Sequence, residues 1–461
     1  MAERHPGARY LHIVQTDRER AFIESRGGEV VLSMESAVRS ALREGAAAWK
    51  EPGDFREVTG FPWSPILADR YLPSFAGPVR DRIAGALYRA LEDVFDRYRI
   101  DAFLSEPVAL FVTHCLFYLA RKRGARRLLW ANAWFPGWFY FADGIDISCP
   151  VRSAPMSSGD RAALSTDVSS YLDGVIEDRR GPAYHHSFLE RKLSPLSFFK
   201  QRRGTEPLVI QPGLLSRMIQ RGRLTRAWLT RAAFPRRGDF MTAGAVDEHR
   251  AYLHAQLTGN GGYDVPPVQF DERRVVYPLQ YEPEASLLYF APDFRHQPAL
   301  VEAALRALPD GHTLWVKEHP NQCGALGAPI WRQLKKQHSA LRFIRGRQSG
   351  RDLMRNAGLV LTVSSSAGMD ALALGRRALV TGQVFYRHFA GALPVNSYSE
   401  LAQALNVPEN YRPLDNRASL TEQLVDFGTR CYPGDPQPRH DLFSPENLDL
   451  LVAAVASECA L

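Results

Sequence analysis

The sequence predicts an α/β protein built from two facing Rossmann-like, doubly wound domains. Three observations predict it. Strand-like and helix-like segments alternate from residue 10 to about 131, and again from 274 to about 381. The strand-like segments are short apolar runs, whereas the helix-like ones space their apolar residues at the helical period. A chain of 461 residues with 45% hydrophobic and 23% charged content is long enough for two cores and too apolar for general disorder.

The elements follow in order. Residues Tyr10 to Val14 and 29–32 read as strands on either side of a helix-like segment. Ile83, Leu87, Leu91, Val94 and Phe95 then mark a helix over Arg80 to Arg99. Asp101 to Ser105 reads as a strand running into Glu106-Pro107, followed by a helix to about Arg123 and a strand at Leu128 to Ala131. Such alternation implies a parallel sheet with right-handed crossovers. Between 150 and 270 the rhythm breaks into basic, partly helical sequence interrupted by proline and glycine, ending in Gly259-Asn260-Gly261-Gly262 and Pro266-Pro267. That glycine cluster is no dinucleotide fingerprint, because no strand precedes it and no suitable helix follows.

Alternation resumes with strands at 275–279, 312–317, 341–344, 359–363 and 378–381, separated by helices near 295–307, 329–337, 351–356 and 366–374. Ser444-Pro445-Glu446 opens a last helix with a capping residue and a proline at its first position. The expected organisation is a first Rossmann-like domain over 1–150, a basic, partly helical insertion and linker over 151–270, a second such domain over 271–435, and a C-terminal helix over 436–461.

Composition narrows the setting. Five scattered cysteines without metal-ligand spacing argue against a full disulfide framework and fit a reducing cytoplasm. The N-terminus lacks the basic-then-apolar pattern of a secretory signal, and the most apolar window, about 103–120, is interrupted by Glu106, Pro107 and His114, so no membrane span is expected. The net charge of +7 is uneven: between Arg191 and Arg237 the basic residues face a single acid, Glu206. Leu214, Leu215, Met218, Leu224, Trp228 and Leu229 interleave with those arginines as on a basic amphipathic helix. Such a helix can lie on an acidic bilayer surface or hold an anionic glycan or lipid phosphate; a solvated basic face is the alternative. Nucleic acid is not expected, since no recognised binding module accompanies the charge.

Two motifs carry the chemistry. Val-Lys-Glu-His-Pro at 316–320 follows the strand-like Leu314 to Val316, and Thr-Val-Ser-Ser-Ser-Ala-Gly-Met-Asp-Ala-Leu at 362–372 follows Leu359 to Leu361. Both stand where parallel strands end, the edge at which open α/β sheets bind ligands. Ser364, Ser365 and Ser366 occupy a strand-to-helix junction whose hydroxyls, backbone N–H groups and helix dipole suit a phosphate. Gly368 would let a ligand approach the first turn. Asp370, four residues past Ser366, would reach two ribose hydroxyls, and Lys317 and His319 would add positive charge and a donor beside Pro320. The alternative makes Ser366 an N-cap, Asp370 a first-turn acid and His319 a satisfied loop residue.

These residues also carry a resemblance. Tyr277 to Ser286, Val316 to Pro320, Ser364 to Leu372, Gly375, and Gly382 to Tyr386 together resemble the bacterial capsule polysaccharide biosynthesis family, which includes the Kdo transferases of capsule assembly. The resemblance covers roughly 270–390 and extends weakly to 100–145. It implies a GT-B-like glycosyltransferase, with a nucleotide sugar, CMP-Kdo-like, as donor and a glycan or lipid-linked acceptor. Many relatives carry Glu where this chain has Asp370, which leaves the nucleotide open. In glycosyltransferases of this build the last helix often crosses back onto the N-terminal domain.

Transfer of a sugar builds charge on the departing phosphate, for which Lys317, His319, Ser364 and Ser365 are candidates. A base is sought on the facing domain. Glu106, ending a strand, is the first candidate; Asp143 and His114 are alternatives, and Glu106 can equally be a carboxylate capping the following helix. Glu282 and Glu284, either side of Pro283, can touch donor or acceptor, or form a structural turn. No Asp-x-Asp follows a strand, so no metal or other cofactor is expected. Two alternatives stand beside transfer: a nucleotide-sugar epimerase or hydrolase of the same architecture, and a non-catalytic glycan-binding adaptor of capsule export.

Overall fold

The computed structural model describes residues 5, 7–177, 240, 262–322, 324–346, 348–437 and 444–459. The basic stretch 191–237 lies outside the described residues, as does the glycine cluster up to residue 261.

The C-terminal lobe is a six-stranded parallel sheet. Its strands are β6 (Asp271–Pro278), β7 (Thr313–Lys317), β8 (Leu341–Ile344), β9 (Ala357–Thr362), β10 (Arg377–Val380) and β11 (Ala392–Pro394), in the order β11-β10-β9-β6-β7-β8. Every neighbouring pair is parallel. All six residues of β9 are buried, as its unbroken apolar run demands of a central strand covered on both faces. Counting from β6, this is the doubly wound order 3-2-1-4-5-6, with the reversal between β6 and β9. That reversal leaves a crevice, because the chain leaves the two strands toward opposite faces of the sheet.

The helices of this lobe repeat the sequence reading closely. Those used below are α7 (Ala285–Leu288), which follows β6 through a short loop, and α11 (Ser366–Ala373), which follows β9; preceding both in chain order is α6 (Ser158–Ile176). Ser365 caps α11, its hydroxyl accepting from the Ala367 N–H at 3.2 Å.

The N-terminal lobe is more mixed. A parallel pair, β1 (Leu11–Val14) and β2 (Glu29–Ser33), stands apart from a four-stranded sheet in the order β12-β5-β4-β3. Within it β3 (Ala102–Ser105) and β4 (Arg126–Asn132) are parallel, whereas β5 (Trp138–Ala142) runs antiparallel to β4. Only residues 133–137 separate β4 from β5, too few for a crossover, so the chain turns straight back. The simple alternation expected here does not foretell that strand. Between β3 and β4, α5 (Phe111–Lys122) is almost wholly buried, and it packs on α4 (Gly77–Arg97), whose Ile83, Leu87 and Leu91 fill one core.

Each lobe also holds a piece of chain from the other half. Tyr171, Leu172 and Val175 of α6 share a core with Val360, Met369 and Leu372 of the C-terminal lobe. In exchange, β12 (Tyr432–Pro433) pairs antiparallel with β5, and α14 (Pro445–Cys459) packs Ala454 and Val455 against Leu128, Phe139 and Phe141. Among the described residues no helix is long and apolar enough to cross a membrane.

Candidate functional site

A cleft of about 390 Å³ opens where the strand ends of the two lobes face each other. From the N-terminal lobe come Glu106, just past β3, and Trp130, Asn132 and Trp134, at and beyond the end of β4. From the C-terminal lobe come Ser364 and Ser366 beyond β9, and Val384, Phe385 and Tyr386 beyond β10. The topology explains the meeting. Parallel strands deliver their C-terminal ends to one edge, and the lobes turn those edges toward each other.

Glu106 is the one acidic group lining this cleft among the described residues. Its carboxylate meets solvent, yet the protein around it withholds part of its hydration, and this desolvation raises its pKa above the ordinary carboxylate value. The other two catalytic candidates are corrected. Asp143 follows β5, whose antiparallel course carries it away from the cleft edge into a 2.7 Å pair with Arg127. His114 is fully buried among Phe55, Phe61 and Tyr289, and burial lowers its pKa to about 3, so it is neutral and walled off from the cleft.

The serine turn is held from every side. The hydrogen-bonding pattern orients the Gln280 amide so that its oxygen accepts from the N–H groups of Ser364 and Ser365 at 3.1 and 2.8 Å. The Ser364 hydroxyl donates to the Ser286 carbonyl at 2.7 Å, and the Tyr386 hydroxyl donates to the Ser365 carbonyl. Two of the backbone donors expected to face an anion are therefore taken by Gln280 and the Ser364 hydroxyl proton by Ser286, while Ser364 and Ser366 line the cleft.

Gly368 serves Tyr386 rather than a ligand: a Cβ there would come within 2.7 Å of the Tyr386 ring and 2.8 Å of Thr362. Asp370 is likewise corrected. It is buried, and its carboxylate pairs with Arg351 at 3.1 Å, pointing into the protein instead of toward a ribose.

The second motif stands one strand further along. β6 lies between β9 and β7, so the Gln280–Glu284 loop separates the serine turn from Lys317, His319 and Pro320. Lys317 is buried and donates to the carbonyls of Glu318 and Gly346 at 3.1 and 2.9 Å. His319 is half-buried, its ring edge-on to Tyr281 at 5.6 Å. Glu282 accepts from Gln297 at 2.6 Å, and burial raises its pKa; Glu284 accepts from the Ser286 hydroxyl at 2.8 Å. Neither acid lines the cleft.

Several residues were missed by sequence reasoning. Glu318 organises the histidine loop: its buried carboxylate accepts from Tyr263 and from the N–H groups of Gly324, Leu326 and Gly346. Gln297 fixes the backbone of Gln280 through paired bonds of 2.8 and 3.1 Å. Gln297 carries no local signal, since its partner Gln280 is distant in sequence; Glu318 stands inside the 316–320 motif, but two of the partners that define its role, Tyr263 and Gly346, are distant. Asn132 and Trp134 could have been found, because one ends and the other follows a strand parallel to the one that Glu106 follows.

Comparison with known proteins adds a family. The family model described as capsule polysaccharide biosynthesis protein matches residues 251–392. Among solved structures the chain is similar to the beta Kdo 2,7 transferase of Thermosulfurimonas dismutans KpsC, with 14% identity over 79% of this chain and 89% of that one at a TM-score of 0.34. The beta Kdo 2,4 transferase of the same KpsC matches at 14% identity, 73% and 82% coverage and a TM-score of 0.32. The UDP-GlcNAc 2-epimerase from Methanocaldococcus jannaschii matches at 11% identity, 90% and 98% coverage and a TM-score of 0.25. At these TM-scores no residue of this chain is assigned from theirs. No curated protein matches.

Proposed function

We propose, for a chain whose residues 251–392 match the family model described as capsule polysaccharide biosynthesis protein, the activity of a glycosyltransferase drawing on a nucleotide sugar. The donor favoured by the sequence resemblance is CMP-activated and Kdo-like, and the acceptor is a glycan or lipid-linked glycan. One observation carries the reading: a desolvated carboxylate, Glu106, shares a cleft with the serine turn of the facing lobe.

In this reading the Glu106 carboxylate takes the proton of an acceptor hydroxyl while that oxygen bonds to the anomeric carbon of the donor. The bond from that carbon to the phosphate oxygen breaks, and its electron pair leaves with the phosphate. The Ser366 hydroxyl, together with the positive end of α11, receives the charge, while the Ser364 hydroxyl holds the turn through the Ser286 carbonyl. His319 and the buried ammonium of Lys317 sit at the neighbouring strand end and add to the field there. The aromatic wall of Trp130, Phe385 and Tyr386 provides flat apolar faces against which sugar rings stack.

The test combines binding and turnover. In a thermal-shift panel of CMP, UDP, GDP and ADP, the cognate nucleotide raises the melting temperature, because a ligand of the native state stabilises it. Glu106→Gln keeps that shift and loses transfer. A Glu106→Gln enzyme with full turnover removes the residue from the chemistry, and a panel without any shift sinks the donor assignment. As the base must be ionised, turnover rises with pH through a pKa above the ordinary carboxylate value.

A further inference from the structure

The segment from α7 to Phe290 touches three parts of the molecule at once. At its start the Ser286 carbonyl accepts the Ser364 hydroxyl of the serine turn at 2.7 Å. At its end the Phe290 carbonyl accepts the N–H of Gln383, one residue before the Val384–Tyr386 wall, also at 2.7 Å, and the Phe290 ring itself lines the cleft. Between them Tyr289 leaves its own lobe altogether. Its ring stacks on Phe61 at 5.0 Å and 29°, meets His114 edge-on at 5.5 Å, and places its hydroxyl 3.4 Å from His114 Nδ1.

The socket that takes Tyr289 belongs to the N-terminal lobe: Phe61, Ala68, Val108, Phe117, Leu129 and Ile145 form one apolar cluster with it. Val108 lies two residues beyond Glu106, on the loop that ends β3. Asp69 secures the other end of that loop, accepting from the Phe111 N–H at 2.7 Å where α5 begins. Close by, the Arg295 guanidinium lies 4.7 Å from the Trp63 ring centre, a second crossing between the lobes. One short segment thus bonds to the serine turn and inserts a ring beside the loop that carries Glu106.

We propose that Tyr289 is a positioning residue: seated in the N-terminal lobe, it fixes the register between the Glu106 loop and the serine turn across the cleft. An aromatic ring packed on all sides in a rigid socket resists displacement in a way that a rim contact does not, because interiors pack near crystal density. The role deepens the transfer reading and rests on it only for its effect on turnover; the mechanical link stands on the contacts alone.

Hydrogen exchange tests the link without any substrate. In Tyr289→Ala, or in Tyr289→Leu if the alanine variant fails to fold, amide protection across 102–111 and 362–369 falls together by about 10-fold or more, and Tyr289→Phe restores it. Faster exchange confined to 285–290, with both peptides as in the wild type, overturns the proposal. With a working donor, kcat in the same variant falls by about 100-fold, the order expected for a misplacement near 1 Å. Nucleotide affinity stays within about 3-fold of wild type, since in the transfer reading the C-terminal lobe holds the nucleotide. Unchanged kcat in a folded Tyr289→Ala enzyme also overturns it. If the wild type turns over no nucleotide sugar, the transfer reading has failed, and the exchange result decides the link by itself.

Discussion

Glu106 loses hydration on its protein side, and a carboxyl so placed holds its proton more tightly when folded than when unfolded. The native state therefore binds more protons between the two pKa values, and stability falls as pH rises through that window. Above it the ionised group is a standing cost, so Glu106→Gln is expected to raise the melting temperature at neutral pH and to lose that advantage in acid below the window. Differential scanning at two pH values checks this, and a neutral-pH loss of stability contradicts it. Gly368 makes a different demand. Its missing side chain is the space that Tyr386 fills, so Gly368→Ala should destabilise by about 1–3 kcal/mol through overpacking, read by urea denaturation. Asp370 shows why spacing alone misled. Four residues past Ser366 does place it on one stripe of α11, but the stripe faces Arg351 and the core.

At the scale of elements, the serine turn is a junction that other chain segments complete. Gln280, from the loop after β6, supplies the acceptor for two of its N–H groups. Gln280→Leu removes that acceptor and leaves both donors buried, at an expected cost of about 2 kcal/mol. Gln280→Glu keeps an oxygen there and should recover most of the loss; equal denaturation midpoints for the two variants would refute the assignment. The strands and helices of the C-terminal lobe were legible because their signal is local. The strand segment at 341–344 and the helix at 329–337 coincide with β8 and with the helix Pro329–Gln337. Strand β5 was not legible, because whether a chain returns at once or crosses over depends on the turn at 133–137 and on the neighbour it finds.

Across the whole molecule, the last helix ties the lobes together. Glu458 is fully buried and accepts from Arg126, Tyr432 and both the N–H and hydroxyl of Ser153. Burial alone would raise its pKa, yet the bonds from Tyr432 and Ser153 and the charge of Arg126 outweigh it and hold the group below the ordinary value. A lowered pKa contributes stability that is present above the unfolded value and lost as pH falls through the folded one. Glu458→Ala should thus cost about 3 kcal/mol at neutral pH and expose the last helix to proteolysis, and acid should release the same helix in the wild type. Undiminished protease resistance in the variant would disprove this role.

Alternation, apolar period and motif position are local properties of the chain, so the sequence by itself determined an α/β molecule with a doubly wound C-terminal lobe and placed the serine turn and the histidine loop at strand ends. Which groups a pocket leaves free depends on partners far apart in sequence. Only the tertiary structure could therefore turn Asp370 inward to Arg351, close His114 in aromatic rings, occupy the backbone donors of the turn with Gln280, and set Glu106 across the cleft from Ser364.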